Sequence, residues 1–171
     1  MKKTDILFFG LMGIGILTGC KTHQSYNGQT QTPTQASAQM PAGRLNEVSY
    51  SYQGMRMEVI GNPSLKRAEG GKATLSFKFF SDERSYEVSD TLLDKARDII
   101  EEEKMYNYDS SYSLSFSERI LDGYSWSWDA IFEGGERLSS HGRHVEPEGN
   151  GLNRIDSLLR AAAMPFVKEE L

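Results

Sequence analysis

Apolar and polar residues alternate along much of the chain after residue 44, which is the pattern of half-buried β-strands. The first such run lies on either side of Gln53-Gly54, with apolar residues at Val48, Tyr50, Tyr52, Met55, Met57 and Val59. A two-residue turn at Gln53-Gly54 would set Val48 opposite Val59 and keep every apolar side chain on one face. We therefore predict a β-hairpin over residues 48–59, with Gly61-Asn62-Pro63 ending its second strand and opening a polar loop to Gly70-Gly71.

A third strand and a helix are predicted next. The third strand has alternating apolar residues at Ala73, Leu75, Phe77 and Phe79. After Arg84 the spacing of apolar residues changes to three and four, at Val88, Leu92, Ala96, Ile99 and Ile100. This spacing predicts an amphipathic helix over about 89–104, with Ser89 or Asp90 as its N-cap.

Two serine-rich runs flank Asp122-Gly123. Their apolar positions are Tyr112, Leu114, Phe116 and Ile120, then Tyr124, Trp126, Trp128, Ala130 and Phe132. A three-residue loop at residues 121–123, with a left-handed Gly123, keeps both sets on one face. It pairs Ile120 with Tyr124, Phe116 with Trp128 and Tyr112 with Phe132.

The end of the chain predicts a turn and a second helix. Glu133-Gly134-Gly135 can form another hairpin turn, which sets Leu138 opposite Ala130. The second helix has apolar residues at Leu152, Ile155, Leu159 and Ala162, Asn150 as a cap, and Pro165 just past its end. The predicted order is therefore β-β-β-α-β-β-β-α. We expect one α+β domain over residues 44–171, an antiparallel sheet with two helices packed on one face.

The N-terminus has the pattern of a secretory leader. Lys2 and Lys3 precede an apolar run, Ile6–Leu17, that is shorter than the ~20 residues of a membrane-spanning helix. The run ends in Leu17-Thr18-Gly19-Cys20, which resembles the lipobox of bacterial lipoproteins. That resemblance implies a signal peptide over residues 1–19, cleavage before Cys20 and attachment of lipid to the Cys20 thiol. Two or three acyl chains would then anchor the protein to a membrane.

A polar segment separates this anchor from the domain. Residues 20–43 are the cysteine followed by a segment rich in Gln, Thr, Ser and Gly with almost no aliphatic residues, so they predict a flexible tether. Its reach as a coil is on the order of 25–30 Å. Cys20 is the single cysteine, which excludes an internal disulfide. The formal net charge of −5 and the scattered basic residues argue against nucleic acid as a partner.

The aromatic row Tyr124, Trp126 and Trp128 is a candidate ligand-binding site. Exported proteins use such rows to stack sugars, but the same residues fit the buried face of a strand. Alternation with Ser125, Ser127 and Asp129 favours the core interpretation. Exposure of the rings along a groove would favour carbohydrate binding or processing.

The stretch "SSHGRHVEPEG", residues 139–149, is a candidate metal site. His141, His144 and Glu146 are residue types that bind zinc. Their spacing differs from the helical H-E-x-x-H signature, and the glycines and Pro147 indicate an irregular loop leading into the last helix. We expect no bound metal and no cofactor, with a metal-dependent role of residues 141–148 as an alternative.

Catalytic signatures are not found in the sequence. There is no G-x-S-x-G, no P-loop and no dinucleotide fingerprint. Asp109, Asp122 and Asp129 could in principle supply a carboxylate pair for glycoside hydrolysis. The turn at Asp122 and the polar side of the strand at Asp129 explain these two residues without chemistry. The sequence therefore favours a binding module over an enzyme.

One further pattern concerns the C-terminal half. It reads Asp122-Gly123…Trp126…Phe132-x-x-Gly135…Ser140-x-Gly142…Pro147…Leu152-x-x-Ile155. With the lipobox and tether, it resembles the small uncharacterised lipoproteins of Bacteroides-type bacteria. The resemblance implies a membrane-anchored α+β domain and supplies no catalytic residues to carry over. The anchor, the tether and the missing catalytic signatures together favour a domain that binds a protein or another envelope component, with a glycan as the alternative partner. Residues 21–25 lack the acidic run associated with surface export, which favours an outer-membrane position facing the periplasm over the cell surface.

Overall fold

The alternating segments form one β-sheet in a computed structural model that describes residues 39–54, 58–114 and 123–168. Its strands are β1 (Leu45–Gln53), β2 (Ile60–Ala68), β3 (Lys72–Phe79), β4 (Asp82–Ser89), β5 (Ser111–Ser113), β6 (Ser125–Phe132) and β7 (Arg137–Arg143). The helices are α1 (Thr91–Glu102) and α2 (Gly151–Ala163), with 3₁₀ turns at Met105–Asn107 and Met164–Phe166. All these elements belong to one compact unit, Gln35–Leu171.

The predicted signal peptide, Cys20 and most of the predicted tether lie outside the described residues. Among the residues that are described, no helix is long and apolar enough to cross a membrane.

The sheet has seven strands in the order β4-β3-β2-β1-β6-β7-β5. Neighbouring strands are antiparallel, except that β5 runs parallel to β7. Both helices contact each other and the central strands β1 and β2, so they cover the same face. The predicted α+β class is confirmed. The order differs from the prediction because β4 stands between β3 and α1.

The first predicted hairpin is wrong in register. Val48 pairs with Leu65 rather than with Val59, and β2 continues through Gly61-Asn62-Pro63. A β-bulge between Gly61 and Ser64, where Asn62 has a left-handed φ of 48°, accommodates the proline. Proline cannot donate to the ladder, so a bulge is where a strand tolerates it. Residues 55–57, the start of the predicted second strand of this hairpin, lie outside the described residues.

Strand β4 is an edge strand that the sequence analysis missed. Its exposed residues Glu83, Ser85 and Glu87 alternate with the half-buried residues Arg84, Tyr86 and Val88, which face inward. Val88 therefore belongs to the sheet rather than to the helix. Helix α1 is confirmed, two residues shorter at each end than predicted. Asp90 takes the N-cap position without a side-chain capping bond, while the Thr91 N–H donates to Ser89 Oγ at 3.3 Å.

The pairing predicted around Asp122-Gly123 is also corrected. Tyr112 pairs with Gly142 in the parallel β5–β7 ladder, and Phe132 pairs with Leu45. Phe116, Ile120 and Asp122 lie outside the described residues. Gly123 was predicted to be left-handed but lacks a positive φ. Gly123 instead leaves room for the side chain of His144.

The second turn and the last helix are confirmed. Ala130 pairs with Leu138 across a turn in which Gly134 and Gly135 have φ of 95° and 88°. Helix α2 buries Leu152, Ile155, Leu159 and Ala163. Pro165 follows in a 3₁₀ turn, and Asn150 takes the N-cap position without a side-chain capping bond.

The core lies between the helices and one face of the sheet. Its aromatic members include Tyr50, Phe77, Phe79, Trp126, Trp128 and Phe132. A bulge between Leu45 and Glu47 reverses the parity of β1, so that Leu45 joins Val48 on the buried face. Trp128 is 1% exposed, and its Nε1 has no hydrogen-bond partner within the described part of the chain.

Arg67, on β2, connects the sheet to the start of α1. Its side chain is 13% exposed and pairs with Asp90, which is 14% exposed, and with Asp94 at 3.2 Å. It also donates to the carbonyl oxygen of Leu45, from Nε at 3.2 Å and from Nη2 at 3.0 Å. One guanidinium thus donates hydrogen bonds both to the bulged start of β1 and to the aspartates at the beginning of α1.

We predict that Arg67→Met destabilises the domain by about 2–3 kcal/mol, since it removes the side-chain donor of the Leu45 carbonyl and the shielded partner of Asp90, which keeps its pairing with the exposed Arg44. Arg44→Met is the matched control. Arg44 also pairs with Asp90, at 3.2 Å, but is 59% exposed, so its loss should cost less than about 1 kcal/mol. The measurement is urea unfolding of each variant. Equal losses for the two arginines would contradict this account.

Candidate functional site

The sheet face opposite the helices is lined by hydroxyl groups. Strand pairing aligns Ser51, Ser127, His141 and Ser111 in one row across β1, β6, β7 and β5. The next row consists of Gln53, Ser125, Arg143 and Ser113. Together with Tyr112, Trp126 and Gly142, these residues line an open cleft of about 500 Å³. We call it the serine cleft.

The hydroxyl lining continues towards the other sheet edge. Cross-strand pairing aligns Ser49, Ser64, Ser76 and Ser85 on β1 to β4. The Ser76 and Ser85 hydroxyls are 2.9 Å apart, and the Ser64 hydroxyl donates to the Ser76 carbonyl at 3.4 Å. Asp129, in the same row, pairs with Arg137. This face therefore offers hydrogen bonds rather than an apolar surface.

The predicted metal residues are separated by the fold. Residues 139–143, predicted as loop, belong to strand β7, which places His141 on the open face beside Ser127. His144 follows the strand with a left-handed φ of 64° and meets the Tyr124 ring edge-on, with centroids 6.1 Å apart. In the ranges that the structure describes, no group of three or more His, Cys, Asp or Glu residues could hold a metal ion.

Gly123 has a packing role beside His144. A Cβ at position 123 would lie 1.4 Å from His144 Cε1, so the imidazole occupies the space that any other side chain needs. The backbone N–H of His144 donates to the Tyr124 carbonyl at 3.1 Å. This contact ends the β6–β7 pairing and directs the chain towards α2.

The predicted aromatic row is divided between the core and its margin. Trp126 is 3% exposed and lies against Gly142, with its Nε1 donating to the Val145 carbonyl at 2.7 Å. Trp128 is buried under the edge of Tyr108, with ring centroids 6.2 Å apart. Tyr124 is half-buried and stacks on Tyr52 at 5.5 Å. Neither tryptophan has a free ring face on which a sugar could stack.

A second cavity lies on the helix side of the sheet. It measures about 210 Å³ and is lined by Tyr50, Tyr52, Glu58, Glu146, Asn153 and Asp156. We call it the carboxylate pocket. Arg160, one turn after Asp156 on α2, pairs with Asp156 at 2.7 Å and with Glu58 at 2.8 Å. It also donates to the Ile60 carbonyl, which fixes α2 to the start of β2.

Three ionisable groups in or beside the pocket have raised pKa values. Burial raises the pKa of the Tyr50 hydroxyl, and the carboxylates of Asp156, Glu146 and Glu58 raise it further. Burial also raises the pKa of Asp156, with Arg160 opposing that change and Glu58 adding to it. The pKa of Tyr124 is raised by burial and by Glu146. Burial is the largest cause of all three shifts; neighbouring carboxylates add to it at Tyr50 and Tyr124, whereas Arg160 opposes it at Asp156.

Sequence reasoning identified Glu146 as a candidate ligand but not the other residues that line the pocket. Its other residues come from β1, from the segment before β2 and from α2. No sequence spacing links these three segments. The one available signal was that Asn153 and Asp156 occupy positions between the apolar residues of α2.

We found no match to a known protein family, to a curated protein or to a solved structure. The serine cleft and the carboxylate pocket are therefore the features of this chain that bear on its function. The described residues do not bring a serine, a histidine and a carboxylate into one hydrogen-bonded set.

Gly142 provides a test of the arrangement between the two sites. A Cβ there would lie 2.6 Å from both Trp126 Cε2 and the Val145 carbonyl, so we predict that Gly142→Ala costs about 1–3 kcal/mol of stability. Gly61→Ala is the control, because its Cβ would meet only Lys78 Cβ, at 3.7 Å. Urea unfolding measures both. A neutral Gly142→Ala would show that the indole and the loop can move apart freely.

Proposed function

We propose that this protein is a lipid-anchored lipoprotein of the bacterial cell envelope and that its domain is a non-enzymatic binding module. The anchor is the lipidated Cys20, and residues 21–43 serve as the tether. The support for this role is the resemblance of the leader and of the C-terminal pattern to the small lipoproteins of Bacteroides-type bacteria. An outer-membrane position facing the periplasm is part of it.

The observation that carries the binding role is the serine cleft. A half-covered sheet normally leaves its second face to solvent, with scattered polar residues. Here four adjacent strands bring hydroxyl, amide, imidazole and guanidinium groups into one concave surface. Such a lining can satisfy the hydrogen-bonding groups of a polar partner, directly or through bridging waters.

The chemistry of the cleft favours a protein partner over a glycan. Carbohydrate binding through Tyr124, Trp126 and Trp128 required an exposed aromatic platform, and the two tryptophans are buried. The exposed residues of the cleft are Gln53, Ser111, Ser113, His141 and Arg143, and Ser51, Ser125 and Ser127 are half-buried. These groups can pair with the backbone and the acidic side chains of a protein surface.

We expect Ser127→Arg, which fills the centre of the cleft, to abolish partner capture without unfolding the domain. The measurement is photo-crosslinking in intact cells from a probe at position 51, read as discrete higher-mass bands. Ser85→Arg, on the same face but at the far sheet edge, is the control and should leave the bands unchanged. If Ser127→Arg retains the bands, or if glycan digestion removes them, the protein-binding proposal is wrong.

The anchor has its own test. Cells that express the natural chain should incorporate radiolabelled palmitate into this protein and retain it in the membrane fraction. Cys20→Ala should abolish the label, because the thiol is the site of diacylglyceryl attachment in lipoproteins. Cys20 is the single cysteine, so no second thiol can substitute. A labelled Cys20→Ala protein, or an unlabelled natural one, would refute the anchor.

A further inference from the structure

The carboxylate pocket holds more negative than positive charge. Glu58, Glu146 and Asp156 line it, and Arg160 is the cation that pairs with two of them, Glu58 and Asp156. Within the described residues Glu146 has no ion pair. One carboxylate at the mouth of the pocket is therefore available to a further cation.

A hydroxyl without a protein partner, on a mostly buried side chain, adds a second, independent observation. Tyr50 is only 6% exposed and lines the pocket, yet no side chain or backbone group among the described residues hydrogen-bonds its hydroxyl. The hydroxyl opens into the pocket and is not sealed in the core, since among the described residues the fully buried side-chain polar atom without a partner is Trp128 Nε1. The hydroxyl is an acceptor placed for a donor that the described chain does not supply.

Aromatic rings form the side of the pocket. Tyr52 lines it directly, and Tyr124 stacks on Tyr52 with centroids 5.5 Å apart and an interplanar angle of 21°. A cation near these rings gains from their negative faces as well as from Glu146. Carboxylates next to tyrosines form a typical environment for ammonium and guanidinium groups.

The arrangement disfavours a bare metal ion. The carboxylates do not converge on one point that could hold a metal, as judged over the described residues. The cavity of about 210 Å³ has room for roughly seven waters at ~30 Å³ each. That volume suits a head group of several heavy atoms and is smaller than a site for a drug-sized ligand.

We propose that the carboxylate pocket binds an organic monocation, an ammonium or guanidinium group, held by Glu146, the Tyr50 hydroxyl and the Tyr52 ring. The cation comes from a small free amine or from a lysine or arginine side chain. The pocket lies on the helix side of the sheet, so this site is independent of the serine cleft.

The test is an NMR titration of the ¹⁵N-labelled domain, residues 39–171, with butylammonium, N-acetyl-arginine amide and the peptide Gly-Gly-Lys-Gly-Gly. We expect saturable shifts at Glu146, Asn153 and Tyr52, which neutral butanol does not produce. Tighter binding of the peptide than of butylammonium identifies a side chain as the natural source. Tighter binding of butylammonium identifies a free amine.

Matched variants decide whether the pocket itself is responsible. Glu146→Gln should weaken binding about tenfold, which is the scale of one charge-assisted hydrogen bond. Tyr50→Phe should also weaken binding while the domain stays folded. Glu148→Gln removes the same charge from an exposed residue of the same loop that does not line the pocket, and should leave the affinity unchanged. Absence of saturable shifts, or equal effects of the 146 and 148 changes, would overturn the proposal.

Discussion

The contact between Arg67 and the bulged start of β1 sets the position of the helical layer. A two-layer domain needs its helices held at one angle to the sheet, and apolar packing alone is not directional. Arg67 supplies direction because its planar fork engages a strand carbonyl and two aspartates at the start of α1. The helix then passes over β1 and β2, where its apolar side meets the buried face of the sheet.

A second set of ion pairs completes the layer at the opposite end of α1. Arg154 of α2 pairs with Glu103 and Glu102, both at 2.7 Å, and the Asn150 N–H donates to Glu103 at 3.3 Å. The Arg154 guanidinium lowers the pKa of Glu103. These contacts join the end of one helix to the beginning of the next. Glu103 therefore serves as an N-terminal partner of α2, where a negative charge is favourable.

Residue alternation predicted the parts of the fold in which one face is buried and the other is polar. Strand β3, the pairing of Ala130 with Leu138 and the burial of Trp126 and Trp128 follow from it, and both helices follow from apolar residues spaced three and four apart. The alternation pattern predicted the wrong pairing where a strand contains a local irregularity, because a bulge keeps apolar side chains on the buried face without a turn. The bulge around Pro63 let β2 continue through residues that resemble a turn, and β4 carries the charges that suit an edge strand.

The candidate sites were less accessible to sequence reasoning than the fold. The serine cleft depends on the order of four strands, one of which is parallel, and that order is not encoded in local spacing. The carboxylate pocket joins residues that are up to about one hundred positions apart, from Tyr50 to Asp156. His141 and His144 are close in sequence, which made them candidates for a shared site. His141 lies on strand β7 and His144 follows the strand, so the two side chains have different surroundings.

The parallel pairing of β5 with β7 has a consequence for folding. β5 contributes only three ladder positions, supported by the Ser140 hydroxyl donating to the Asp109 carbonyl at 2.6 Å. It has no hairpin turn to bring it to β7, so it can dock only after β6 and β7 have formed their own ladder. Bringing β5 to β7 costs chain entropy, and the three paired residues offset only a small part of that cost. This edge should therefore be the last to assemble and the first to open, exchanging its amide hydrogens well before the central strands.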